Sequence, residues 1–126
     1  IAMLPETARS AIGLPHPSGR AAMRMLEEEG FAYEGYVDIF DGGPTMTART
    51  DRVRSISEAH PTVVTHVRAP EGGGGSIKAL VATGRLADFR CTFAEVANSP
   101  DGLVLDPIAA AALDVSAGDS VWHVAR

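Results

Sequence analysis

One cysteine, Cys91, stands in the whole sequence. A single thiol forms no internal disulfide and builds no cysteine-based zinc site. It falls in the alternating run "ADFRCTFAEV", where a free cysteine reads as a small core residue. Long apolar runs are missing as well. None approaches the roughly 20 residues that a membrane-spanning helix needs. No basic-then-apolar leader opens the chain, so the cytoplasm is the default location. Basic charge is in short supply: 11 Lys and Arg face 16 Asp and Glu, a net charge of −5. That weighs against nucleic acid as a main partner, because phosphate binding needs clustered positive charge. It is compatible with a cationic small molecule. The four histidines, His16, His60, His66 and His123, show no pair at i, i+4 on one helix face, so no metal site is expected. No nucleophile-elbow sequence is present either.

What remains is the composition of a globular protein, with 45% hydrophobic and 21% charged residues in a length of 126. That length suits one ordinary domain, or a small layer plus a subdomain. The chain opens on Ile1 in mid-pattern and reads as a piece of something longer or a processed product.

"PETARSAIG" (5–13) predicts a short helix: Pro5 suits the first position, Glu6 favours the positive end of the helix dipole, and Gly13 ends it. "LPHP" is a stiff extended connector. The next helix begins at Ser18 as N-cap, with Ala22, Met25, Leu26 and Glu29 on one face. Gly30 and Phe31 fit a Schellman ending. Glu27, Glu28 and Glu29 sit badly against that helix's C-terminus and read as a solvated face. "FAYEGYVDIF", "DGGP" and "TMTART" predict a strand, a turn and a second strand, hence a hairpin. Asp51 suits the cap of a short helix over "RVRSISEA".

The second half changes character. "TVVTHVRA", "IKALVAT", "ADFRCTFAEVA" and a closing "SVWHVAR" predict short strands, and "PIAAAALDV" a short helix. Together they suggest a β-barrel-like subdomain. "EGGGG" (71–75) invites a phosphate-loop reading, but a phosphate cradle should lead into a helix and here a strand follows, so it reads as a hairpin tip. His66 and His123 lie in apolar strands and read as core or surface histidines.

His16 stands apart. Prolines on both sides hold its ring on a rigid connector beside a helix N-terminus. A histidine there can give or take a proton near neutrality. It can equally be a plain loop residue, and the residues alone leave both readings open.

"IGLPHPSGRAAMRMLEEEGFAYEGYVDIFDGGPTMTARTDRVRSI" closely resembles the C-terminal part of the bacterial arginine N-succinyltransferase family. The features are "IG", two residues and "HP"; a helix ending in "LE-x-EGF"; then "Y-x-x-Y-x-DIFDGGP" and "D-x-VR-x-I". "LVAT", "ADFR" and "AALDVSAGDSVWHVAR" match more loosely. The resemblance implies transfer of a succinyl group from succinyl-CoA to the α-amine of L-arginine in arginine catabolism, with L-ornithine accepted by some members. Succinyl-CoA is the acyl donor, and no permanently bound cofactor is implied. The "HP" histidine, the family's proton donor, falls on His16. Leu14-Pro15 and Gly19 depart from the family's usual residues. Asp38 and Asp41, flanking the hairpin turn, are candidates for holding the guanidinium, and turn chemistry is their plain alternative.

The fold expected is α+β. Residues 1–58 are the C-terminal half of a domain like the GCN5-related acyltransferases, with helices on an antiparallel hairpin. Residues 59–126 are a small β-rich subdomain. The glycine-bearing loop that would hold the CoA pyrophosphate is not visible, so the chain is expected to need an upstream acyltransferase region and to work as part of an oligomer. The alternative, from a different class, is a non-catalytic β-rich binding or assembly module of a larger protein.

Overall fold

Strict alternation in "SIKALVAT" and "RCTFAEVANS" makes two strands that share a buried face. In the computed structural model, which describes residues 3–69 and 75–126, these are β4 (Ser76–Thr83) and β5 (Arg90–Ser99), paired antiparallel from Ser76↔Ala97 to Thr83↔Arg90. Most of the "EGGGG" run lies outside the described residues. The turn Pro100-Asp101 returns the chain into β6 (Gly102–Leu105), antiparallel to β5. β3 (His60–Val67) lies parallel to β6 and antiparallel to β7 (Ser120–Ala125), and β7 pairs with β4. The result is a closed five-stranded barrel in the order β3-β6-β5-β4-β7.

Closure leaves no free strand edge and gathers one core. Val64, Ala79, Val81, Ala94, Val96, Leu103, Leu105 and Val121 are buried in it. Helix α4 (Pro107–Leu113) lies against β5 and adds Ala109, Ala110 and Leu113. Burying one such Val or Leu side chain is worth about 1.5–3 kcal/mol. Asp106 joins helix to barrel: its Oδ1 accepts from Ala109 N–H at 2.8 Å, the N-cap bond, and its Oδ2 accepts from Glu95 N–H at 3.0 Å.

Cys91 is exposed, not a core residue. The face of β5 that turns inward carries Ala94 and Val96, whose size suits a strand covered by α4. Cys91 and Phe93 have the opposite parity and face out.

The first 57 residues form a separate compact unit, and residues 58–126 another. The first holds α1 (Glu6–Arg9), a 3-10 turn (Pro17–Gly19), α2 (Arg20–Glu28), the hairpin β1 (Ala32–Val37) and β2 (Pro44–Thr47), a second 3-10 turn (Thr50–Arg52), and α3 (Arg54–Ser57). The Schellman ending forms as expected: Phe31 N–H donates to Leu26 O at 2.9 Å and Gly30 N–H to Glu27 O at 3.0 Å, with Gly30 at φ +95°. Three local expectations are corrected. Ser18 does not cap α2; the residue at its N-cap is Gly19, without a side-chain bond. Asp51 caps nothing and pairs with Arg49 at 2.8 Å instead. Glu29 does not join Glu27 and Glu28 in solvent: its Oε2 accepts from Ser55 N–H at 3.1 Å and Ser55 O–H at 2.6 Å, at the start of α3. A carboxylate badly placed for its own helix thus serves the N-terminus of the next.

Only Gly13 is buried among the described residues of this first unit. Several of its large apolar side chains stay open, Ile39 at 88% and Phe40 at 92% exposure among them. No described helix is long and apolar enough to cross a membrane.

The barrel generates two predictions. Gly102 sits at φ +149°, and a Cβ there would strike the Val63 carbonyl where β6 meets β3. Gly102→Ala is therefore expected to lower stability by about 1–3 kcal/mol, read as a drop in denaturant midpoint; an unshifted midpoint would refute the close approach. The second concerns His123, which faces His60 across the β3–β7 seam with ring centroids 6.4 Å apart. Its Nδ1 is buried without a hydrogen-bond partner. Burial, and next the neighbouring His60, push its pKa below the ordinary imidazole value, while a hydrogen bond involving the His60 backbone opposes them. The folded chain then binds fewer protons than the unfolded chain. Stability is full above the unfolded value of about 6.5 and falls as pH drops through it. Melting curves on either side of that value, from about 7.5 down to about 5.5, should show the fall. His123→Leu should flatten it.

Candidate functional site

The first unit builds a cleft of about 640 Å³ from three local pieces. One is the Leu14–His16 connector. The second is the face of α2 that carries Ala22, Met23 and Leu26. The third is the turn joining β1 to β2. Met25, expected on the packed face, is 68% exposed and points away from these residues' side of the helix. Helix and hairpin form facing walls of the cleft.

The turn is held by its own aspartates. Asp38 N–H donates to Gly43 O and Gly42 N–H to Asp38 O, both at 2.9 Å. Asp38 Oδ1 accepts from Phe40 N–H at 2.7 Å and from Asp41 N–H at 3.3 Å. Asp41 Oδ1 accepts from Gly43 N–H at 2.7 Å. These are the side-chain-to-backbone bonds that let aspartate order a turn. Gly13 N–H then donates to Gly42 O at 2.7 Å, fastening the connector to the turn.

His16 occupies the cap of the 3-10 turn at φ −56°, ψ 146°. Its Nδ1 accepts from Ser18 N–H at 3.3 Å and lies 2.7 Å from Ser18 Oγ. A backbone N–H can only donate, so Nδ1 carries no proton and the hydroxyl donates to it as well. The neutral ring is then the tautomer with its proton on Nε2. Instead of capping the helix, Ser18 orients the histidine. The spacing His-Pro-Ser carries that signal, because a side chain at i can accept from the N–H at i+2.

His16, Asp38 and Asp41 line the same cleft. Each aspartate commits one oxygen to the turn, and neither has an ion-pair partner among the described residues. No lysine or arginine lines the cleft, whose remaining wall is largely apolar, with Met23, Leu26 and Met46. The arrangement offers one N–H donor and two carboxylates on a rigid frame. His66 is exposed, and His60 pairs with His123 within the barrel. That pair has no signal in the sequence, since the two residues are 63 apart and meet only through the β3–β7 register. No group of three or more His, Cys, Asp or Glu side chains able to hold a metal converges among the described residues.

Residues 1–55 match the family described as "Arginine N-succinyltransferase beta subunit", and residues 62–125 match the C-terminal domain of that same beta subunit. The chain is 42% identical over 121 residues to arginine N-succinyltransferase subunit beta of Pseudomonas aeruginosa, covering 96% of this chain and 35% of that protein. It is 39% identical to subunit alpha of the same organism, covering 99% of this chain and 36% of the relative. Arginine N-succinyltransferase of Yersinia enterocolitica is 43% identical over 120 residues, 94% of this chain and 34% of that one. Among solved structures, subunit AI of the arginine/ornithine succinyltransferase of Pseudomonas aeruginosa superposes with a TM-score of 0.80 at 36% identity, over 99% of this chain and 37% of that one. The chain thus spans about a third of the length of these relatives. With both of its halves matched, the chain belongs to the arginine N-succinyltransferase family.

Proposed function

We propose that the chain serves as the C-terminal portion of an arginine N-succinyltransferase, an acyltransferase that moves a succinyl group from succinyl-CoA to the α-amine of L-arginine in cytoplasmic arginine catabolism. Residues 1–58 would close a domain like the GCN5-related acyltransferases, and residues 59–126 would be its β-rich appendage. The exposed apolar residues of the first unit are consistent with a domain completed by the rest of such a protein. Relatives named as alpha and beta subunits favour a multi-subunit enzyme. The relative named for arginine and ornithine leaves L-ornithine as a second acceptor.

The observation that carries the reading is the Ser18 N–H bond to His16 Nδ1, which leaves Nε2–H as the ring's donor at the cleft. In acyl transfer, the neutral amine attacks the thioester carbonyl, a C–N bond forms, and the C–S bond breaks. The amine loses one proton to water. The departing thiolate takes one from water, while His16 Nε2–H donates a hydrogen bond to the charge developing on the sulfur and keeps its proton. Nδ1, occupied by Ser18 N–H and by Ser18 Oγ 2.7 Å away, is not placed to act as base toward the amine. One positioned donor of this kind is worth about 10²–10³ in rate. The CoA phosphates need basic or backbone N–H partners, and the remaining two thirds of the enzyme's length would supply them.

The runner-up, a non-catalytic binding or assembly module, draws on one observation: Phe93 and Ile108 line a second, shallow groove on the barrel at 71% and 85% exposure.

His16→Ala in the complete enzyme is expected to cut turnover by about tenfold or more with the fold intact by circular dichroism. Ser18→Ala keeps the backbone bond to Nδ1 and should cost less. Turnover unchanged by His16→Ala would remove the catalytic assignment and favour the module.

A further inference from the structure

We propose that Tyr33 is a positioning residue for His16 and acts through Gly13: the end of its ring sets where the connector that carries the histidine runs. This rests on the reading of His16 as the donor at the cleft. It adds what holds that donor in place.

The contact lies at Gly13, the one buried residue among those described in the first unit. A glycine has no side chain to bury, so its burial marks a close approach of other groups to its backbone. It stands at φ +78°, and a Cβ there would collide with the Tyr33 hydroxyl and lie 3.3 Å from Val37 Cγ1. Its N–H donates to Gly42 O at 2.7 Å. The connector thus meets β1 at the Gly13 Cα and the turn at the Gly13 N–H.

The shape of β1 favours this contact. Tyr33 pairs with Met46 and Val37 with Pro44, so β1 advances by four residues where β2 advances by two, and Gly35 in between stands at φ +85°. Such a bulge bends a strand and re-aims its side chains. Tyr33 and Val37, at its two ends, both reach Gly13. In the sequence, Gly13 closes the "IG" motif and Tyr33 opens "Y-x-x-Y-x-DIFDGGP", so the contact joins two separate motifs.

The path from Gly13 to His16 is short and stiff. Leu14 N–H donates to Ala11 O at 3.1 Å. Pro15 has a fixed φ and keeps Leu14 extended, and Pro17 does the same for His16. Few soft torsions separate the glycine from the ring, so a shift at Gly13 is carried to the imidazole. Misplacing a reacting group by about 1 Å can cost about 10²-fold in rate. Tyr33 lies outside the cleft's lining, so its part is placement and not chemistry.

The test uses the complete enzyme. Gly13→Ala sets a methyl group against the Tyr33 hydroxyl, and adding Tyr33→Phe removes the oxygen that it strikes. The His16 ring resonance, followed by NMR in enzyme labelled at histidine and identified by its loss in His16→Ala, should move in Gly13→Ala. It should return toward its parent position in the double variant, in part only, because alanine stays strained at this φ. Turnover should fall about tenfold or more in Gly13→Ala and recover with the resonance. Where His16→Ala itself lowers turnover, Gly13→Ala should add no further loss in that background, because the glycine acts through the ring. An equal loss in both backgrounds is a purely structural effect and overturns the proposal. So does a resonance that Gly13→Ala leaves unmoved, or a displacement that Tyr33→Phe does not relieve. If Gly13→Ala does not fold, Tyr33→Leu withdraws the end of the ring without adding an atom at the glycine, and a resonance unmoved by it overturns the proposal in the same way. The resonance is read without substrates, so it decides even where His16→Ala leaves turnover unchanged. Movement and return would then refute the catalytic reading and leave the placement of the ring by Tyr33 standing.

Discussion

The bond from Gly13 N–H to the Gly42 carbonyl, 2.7 Å long, carries more of this structure than its size suggests. It joins the connector that bears His16 to the turn that bears Asp38 and Asp41. The unit that holds it has one buried residue among those described, so apolar burial does little to fix the spacing of the cleft. Backbone hydrogen bonds, proline restriction and two aspartate turns do it instead. A net hydrogen bond contributes about 0.5–1.5 kcal/mol, so no single one is decisive. The bonds around Asp38 and Asp41 close on each other within six residues, and each pre-orders the next.

The barrel is organised on the opposite principle. Its strands bury Val64, Val81, Val96, Leu103, Leu105 and Val121 in one cluster that α4 seals. Such a unit can hold itself together, whereas the first unit displays Ile39, Phe40 and Tyr36 to solvent. Turn residues as exposed as Ile39 and Phe40 are costly unless they meet another surface. The chain matches only about a third of its relatives' length, which fits a unit whose remaining contacts come from elsewhere.

Local chemistry is legible in the sequence and long-range pairing is not. The Schellman ending at Gly30, the "DGGP" turn, the hairpin and α4 all follow from residues within a few positions of one another, and all appear in the structure. Short alternating strands suggest a closed barrel, but not its order. The parallel β3–β6 pair and the β3–β7 seam join segments 35 or more residues apart, and no local pattern specifies them. Cys91 is misplaced by sequence reasoning for a related reason. Alternation shows that β5 has two faces, but only the closure of the barrel decides which is inside. At the cleft, His16 is visible as an unusual residue. Its partner Ser18 reads first as a helix cap, and the i, i+2 spacing to His16 is outweighed by that reading, because the 3-10 turn Pro17–Gly19 that shifts the helix start past the serine is not foreseen.

The charge pattern of the cleft gives the last step. An acyl-CoA carries several phosphate charges, and an arginine side chain carries a cation. A surface that receives one repels the other. With two carboxylates and no basic side chain in its lining, this cleft is poorly suited to an anion such as a CoA phosphate. On the proposed reading, the phosphates would therefore be held by residues outside it. The cleft would meet the acyl donor only at the thioester, where a neutral His16 ring with its proton on Nε2 would offer a donor to the leaving sulfur without adding a charge that draws the phosphates in.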